Sequence, residues 1–149
     1  MRKERNTCAG RQSRDDALSC YLLGEAYRYG IKGVRVNKEK AFFYHAKAAR
    51  LGYLESAYAL AMDSLYHGSF CPWPQDEGAR VLREVAGQSL NSTPLFWYAV
   101  ICYEGRGMPR NLERSREWLL RCLEMSPGYT DAQELLQEVE QELAAQAVD

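Results

Sequence analysis

The side chains best suited to chemistry in this sequence are two histidines and five cysteines. His45 and His67 lie too far apart in the sequence to indicate a local pair of metal ligands. The cysteines form no Cys-x-x-Cys pair, which disfavours a zinc site, and their odd number disfavours a disulfide framework. We therefore expect no metal or cofactor, and free thiols in a reducing compartment. The cysteines are Cys8, Cys20, Cys71, Cys102 and Cys122.

No catalytic motif stands out. The sequence has no nucleophile with a base at motif spacing, no Gly-x-Ser-x-Gly, no P-loop and no dinucleotide fingerprint. Gly105-Arg-Gly107 resembles a phosphate loop but falls at a turn between two helical segments. We expect a hydrogen-bonded or solvated role for His45 and a helix-end role for His67. The sequence thus predicts a protein that is not an enzyme. The alternative is an enzyme or small-ligand protein whose site is assembled across repeats.

Composition narrows the class of protein further. The 149 residues suit one ordinary domain. A composition of 46% hydrophobic and 26% charged residues is typical of a globular chain. A formal charge of -1 gives no reason to expect nucleic acid. The longest apolar run, residues 95–103, is too short to span a membrane. No hydrophobic signal follows the first residues, so we expect a cytoplasmic protein without membrane insertion.

Three copies of one pattern repeat along the chain. An offset of 38 residues places Leu60 on Leu22 and Gly68 on Gly30, and an offset of 74 places Gly107 on Gly33. Each copy consists of two segments with helical periodicity, joined by a turn that contains glycine. The pattern predicts repeats at about 15–52, 53–90 and 91–128, followed by a capping helix at about 130–147.

Single residues indicate where these helices begin, end and meet. Gly24 lies inside the first helix, which predicts that another helix approaches it closely. Gly30 suits a left-handed helix end, and Asn37 is a good N-cap for the next helix. Residues 1–14 carry a basic bias and are predicted to be a flexible tail before a domain at 15–149.

The first copy reads Leu23-Gly24-x-x-Tyr27-x-x-Gly30, then Gly33-Val34-x-x-Asn37-x-x-Lys40-Ala41, then Tyr44-x-x-x-Ala48-Ala49-x-x-Gly52. This series resembles the Sel-1-like repeat, a relative of the tetratricopeptide repeats. The resemblance implies an all-α protein in which about three helix-turn-helix repeats and a C-terminal capping helix form a right-handed superhelix. It also implies a scaffold or adaptor that binds other proteins, often in bacteria.

The resemblance also implies where a partner would bind, because first helices of such repeats line the concave surface. In each first helix, three positions spaced i, i+4 and i+7 share a face. They are not among the repeat positions that are expected to pack between helices. We expect them to bind a peptide or helix of another protein, with aromatic rings as anchors and charges setting register. In the third repeat, simple core packing is an equal alternative. The predicted groove residues are Tyr21, Glu25, Arg28, Asp63, Tyr66, Phe96 and Tyr103.

Overall fold

The computed structural model describes the backbone of residues 2–148 and the side chains of residues 14–66 and 68–148. Over these residues the chain forms seven α-helices and no strand, which confirms the all-α prediction. A π-helical turn, Asp63–His67, continues the third helix. The helices are α1 (Arg2–Tyr29), α2 (Lys38–Arg50), α3 (Leu54–Met62), α4 (Gln75–Gln88), α5 (Ser92–Glu104), α6 (Leu112–Met125) and α7 (Thr130–Val148).

The chain divides into two compact units. Unit 1 is Met1–Trp73 and contains α1, α2 and α3, and unit 2 is Pro74–Asp149 and contains α4 to α7. The division falls in the turn of the second predicted repeat. Each unit therefore contains one complete helical hairpin, α1–α2 or α5–α6, together with helices that pack against it.

Helix ends follow the sequence signals. The side chain of Asn37 accepts a hydrogen bond from the Lys40 backbone N–H at 3.0 Å, which caps α2. Asn111 caps α6 in the same way through the Arg114 N–H. The glycine after α1, Gly30, has φ +67°, the left-handed conformation that ends a helix.

The core of unit 1 forms where α2 packs between its two neighbours. Gly24 of α1 lies against the ring of His45, and this close approach confirms the prediction for that glycine. Nearby, the ring of Tyr27 stacks parallel to Tyr44 with centroids 5.8 Å apart. One turn before His45 on α2, Ala41 lies in a buried cluster with Leu60 of α3, which is fully buried.

The core of unit 2 surrounds α5, which contains the long apolar run. Tyr98 is buried, with its ring edge-on to Trp118 at 5.0 Å. Ser115 of α6 donates a hydrogen bond to the Ala99 carbonyl of α5 at 2.9 Å, so the two helices approach closely. Helix α7 packs on α6 and buries Ala132 and Val139.

Helix α1 differs from expectation in two respects. It begins at Arg2, so helical backbone covers residues 2–14 of the segment, 1–14, that the sequence predicts to be a flexible tail. The side chains of residues 1–13 lie outside the described part. In addition, Leu22 and Leu23, which helical spacing places on the packing face, are 42% and 40% exposed. They lie on sides of α1 that α2 does not cover.

Candidate functional site: a polar and aromatic face on unit 1

Three of the predicted groove residues, Tyr21, Glu25 and Arg28, line one side of α1 in unit 1, and all three are partly buried. The Arg28 guanidinium lies 4.6 Å from the centre of the Phe70 ring and 5.1 Å from that of Tyr29. Its Nη1 is 3.9 Å from Oε1 of Glu25. Two aromatic rings thus contact Arg28, and the side chains of Arg28 and Glu25 remain 28% and 23% exposed.

Tyr21 extends this face toward the start of α3. Its ring lies 4.9 Å from that of Tyr53 and edge-on to His45 at 5.6 Å. Burial, with a smaller effect of the Glu25 carboxylate, raises the pKa of Tyr21, so its hydroxyl stays protonated at neutral pH. We call Tyr21, Glu25, Arg28 and Tyr29 the partner face. Aligning the repeats did not identify Tyr29 as a groove residue. Its place beside Arg28 at the end of a helix was a signal that could have indicated it.

A buried histidine lies directly beneath the partner face. His45 Nδ1 is 3.2 Å from Ser56 Oγ, and its Nε2 is 3.1 Å from Glu25 Oε1, without the angular alignment of a hydrogen bond. Burial, assisted by the positive charge of Arg28, lowers the pKa of His45 to about 4. His45 is therefore neutral at pH 7. Burial also raises the pKa of the Glu25 carboxyl group, and Arg28 opposes this shift.

Glu25, His45 and Ser56 follow the order of an acid–histidine–serine triad. Both His45 and Ser56 are 0% exposed, and Ser56 belongs to the contact between α2 and α3. A substrate would have to separate these helices to reach the serine hydroxyl. The arrangement therefore joins three helices, which agrees with the hydrogen-bonded role expected for His45.

Asp63 has a different position from the one expected of a groove residue. Its side chain is buried, and its carboxylate accepts hydrogen bonds from the backbone N–H groups of Phe70 and Cys71 at 3.1 and 2.9 Å. The Ser69 hydroxyl donates a third at 3.2 Å. Asp63 thus holds the loop that places Phe70 under Arg28. An acidic residue shortly before Gly68-Ser69 is the turn signal that could have indicated this role.

Tyr66, also predicted in the groove, lies on the π-helical turn of unit 1 and is partly buried. The remaining two groove residues belong to unit 2 and pack α5 against α7 and the segment before it. Phe96 is 9% exposed and lies against Tyr129, with ring centroids 5.0 Å apart. Tyr103 donates a hydrogen bond to Glu142 Oε1 at 2.8 Å, and this bond raises the pKa of its hydroxyl. The burial of Phe96 fits the core-packing alternative for the third repeat, whereas Tyr103 is partly exposed and contacts exposed side chains.

Other kinds of site find little support among the described side chains. They contain no cluster of three or more histidine, cysteine or acidic residues placed to hold a metal ion. Within the same part of the chain, every helix is too short or too polar to cross a membrane. Unit 2 has an open cleft of about 420 Å³ beside Leu95, Trp118 and Arg121. Arg121 lies over the Trp118 ring at 4.8 Å.

The stacked hairpins and glycine turns define a helical repeat protein. The family model of the Sel1 repeat matches residues 17–53 and 95–123. The chain is therefore a Sel1-repeat protein. None of the curated proteins matches it.

Two solved structures share this fold. A Sel1 repeat protein from Oxalobacter formigenes superposes with a TM-score of 0.69 at 23% identity, covering 80% of this chain and 47% of that one. The second is c5321, a protective antigen present in uropathogenic Escherichia coli strains that displays an SLR fold. It gives a TM-score of 0.66 at 20% identity, over 72% of this chain and 22% of that one. This chain thus spans less than half the length of either, and the likeness establishes the fold alone.

Proposed function

We propose that this chain is a protein-binding module without enzymatic activity, and that it binds a peptide or helix of another protein at the partner face. The observation that carries the proposal is the position of Arg28. Its guanidinium is held by two aromatic rings yet remains 28% exposed beside the exposed edge of Glu25. Side chains fixed in this way lose little conformational freedom on binding, which favours affinity.

The partner face combines the features expected of a binding hot spot. Tyrosine and arginine are the residue types that most often dominate interface energetics. The Arg28–Glu25 contact at 3.9 Å is long, so each group can also bind an opposite charge on a partner. Tyr66 from the predicted groove would add a further aromatic contact from the next first helix. The scaffold role implied by the Sel1 repeat supports this reading.

The cysteine thiols support a proposal for the compartment. Cys20, Cys71, Cys102 and Cys122 are unpaired, and all four are buried. Unpaired cysteines are typical of proteins that work in a reducing environment. We therefore propose a cytoplasmic setting for the interaction.

Hydrolysis is the second candidate function, because Glu25, His45 and Ser56 lie in the order of a triad. Complete burial of the serine and histidine argues against it. A fluorophosphonate probe, which labels activated serines, distinguishes the two. We expect no labelling of the folded protein at Ser56. Labelling that disappears in a Ser56→Ala variant would support the enzyme instead.

Site-specific crosslinking tests the binding proposal. A photoreactive benzoyl-phenylalanine replaces Tyr29 in one variant and Phe43 in another, and each is illuminated with host proteins. Tyr29 and Phe43 are 57% and 54% exposed, so they are matched in accessibility, but Phe43 lies on α2 outside the partner face. We expect a discrete crosslinked partner at position 29 and none at position 43.

A second substitution distinguishes true recognition from chance proximity. Crosslinking at position 29 should be lost when Arg28 is also changed to alanine, and it should survive Phe43→Glu. Equal crosslinking from positions 29 and 43, or crosslinking at position 29 that is unchanged by Arg28→Ala, would refute the proposal that the partner face binds a protein.

A further inference from the structure

Helix α1 has an apolar side that no other part of the described structure covers. Leu18, Leu22 and Leu23 are 44%, 42% and 40% exposed. The backbone of α1 is continuously helical from Arg2 to Tyr29, so the preceding residues extend along the helix axis instead of folding over these leucines. We call Leu18, Leu22 and Leu23 the outer face. None of them belongs to the partner face.

The repeat shows what normally covers this position. The 38-residue offset places the outer face on Ser56, Leu60 and Ala61 of α3, and all three are 0% exposed. Helix α2 is packed against them, since His45 contacts Ser56 and Leu60 lies in one cluster with Ala41. The outer face is therefore the α1 equivalent of the α3 surface that α2 covers, and no helix in the described part of the chain covers it.

The chemistry of a covering helix can be read from α2. Its buried side carries the small residues Ala41 and Ala48, which allow close approach. The paired contacts, Ala41 with Leu60 and His45 with Ser56, show that α2 runs antiparallel to α3. A helix that covers the outer face in the same way would run antiparallel to α1.

Charge on α1 agrees with that direction. Exposed Asp15 and Asp16 precede the outer face, and exposed Lys32 and Arg35 lie in the turn that follows α1. Helix α2 has Glu39 in its first turn and basic residues in its last turn. An antiparallel helix of this kind would bring its basic end to the aspartates and its acidic end to Lys32 and Arg35, so that opposite charges meet at both ends.

We infer that the outer face binds an amphipathic helix of a partner protein. This helix lies antiparallel to α1, presents alanine or glycine at helical spacing, and carries acidic residues in its first turn and basic residues in its last. The interaction is a helix-on-face contact that continues the repeat stack. Leu22 lies one helical turn before Glu25 on α1, so a helix bound to the outer face lies beside the partner face.

A peptide copy of α2 provides a direct probe. The peptide has the sequence of residues 37–52 with Phe43→Glu, a fluorescein label, and a lactam bridge between this glutamate and Lys47, which keeps it helical. Titration of the full chain should give a saturable rise in fluorescence anisotropy. Leu22→Glu or Leu18→Glu in the chain should weaken binding about tenfold. Phe43→Glu in the chain, which removes a similarly exposed apolar side chain elsewhere, should change binding less than about twofold.

Three outcomes would overturn the inference. The first is no saturable binding, and the second is equal weakening by Leu22→Glu and Phe43→Glu. The third is unchanged binding of a peptide in which Glu39 and Arg50 are exchanged, because the charge argument would then fail. Sedimentation velocity tests whether a second copy of this chain, instead of a partner helix, occupies the outer face. Dimers of the chain that dissociate in Leu22→Glu would assign the outer face to a second copy, against a partner helix. Circular dichroism establishes that each variant is folded.

Discussion

Gly24 and His45 are in direct contact across the α1–α2 interface. A Cβ atom at position 24 would lie 2.7 Å from Cδ2 and 2.8 Å from Nε2 of the imidazole, far inside van der Waals distance. The ring is held on its other side by Ser56 and has no exposed surface into which it could move. This contact explains why a helix that gains nothing from glycine has one here.

Replacing Gly24 by alanine should therefore destabilise the protein. Higher helix propensity favours alanine by about 1 kcal/mol, but overpacking against a fixed ring costs about 1–3 kcal/mol. We expect a net loss in the free energy of unfolding, measured by urea denaturation. Gly87→Ala is the matched control, since a Cβ there meets nothing within 4 Å. That variant should be neutral or slightly more stable. A Gly24→Ala protein as stable as wild type would show that the helices can move apart freely.

Acid should destabilise unit 1 through His45. Its pKa is 6.5 when unfolded and about 4 when folded, so between these values the unfolded chain binds more protons. Stability from this group is complete above pH 6.5 and is lost as the pH falls toward 4, by up to about 3 kcal/mol. The raised pKa of Glu25 acts in the opposite direction, because its carboxyl group takes up a proton more readily in the folded state.

His45→Gln isolates this effect, since glutamine is polar but does not titrate. Urea unfolding at a series of pH values from 7.5 to 4.5 should show a shallower pH dependence for the variant than for wild type. Parallel curves for the two proteins would mean that His45 is protonated equally in both states, and that its burial has no electrostatic consequence.

The loop after the π-helical turn should depend on Asp63. Asp63→Ala removes the carboxylate oxygen that accepts the bonds now donated by the Phe70 and Cys71 N–H groups, together with the oxygen bonded by Ser69. We expect a loss of about 1–3 kcal/mol in unfolding free energy. Ser69→Ala, which removes only the exposed serine hydroxyl contact, should cost less than about 1 kcal/mol. Equal effects of the two changes would contradict the central role of the carboxylate.

The sequence predicted the helices more closely than it predicted the surroundings of the groove residues. Helix boundaries depend on local signals, such as the Asn37 cap and the left-handed Gly30, and these act within a few residues. The role of Asp63 depends on a loop that folds back onto it, which repeat columns do not encode. The same holds for Phe96, whose ring meets Tyr129, the residue before α7, only after α7 has packed on α6.

Exposure of the outer face could not be predicted either. Helical spacing places Leu22 in the same column as Leu60, and the two leucines are equivalent in sequence. They differ because α2 covers Leu60, whereas no helix in the described part of the chain covers Leu22. Burial in a repeat protein depends on the neighbouring repeat as well as on the residue itself.

The affinity of the crosslinked partner for Arg28→Ala is the most direct test of the central claim. Isothermal titration should show binding at least about tenfold weaker than wild type, because a pre-organised arginine anchor has been removed. The melting temperature should change by only a few degrees, because Arg28 is partly exposed and lies outside the core. Wild-type affinity in this variant, or a loss of affinity that merely follows unfolding, would contradict the claim that the partner face binds a protein.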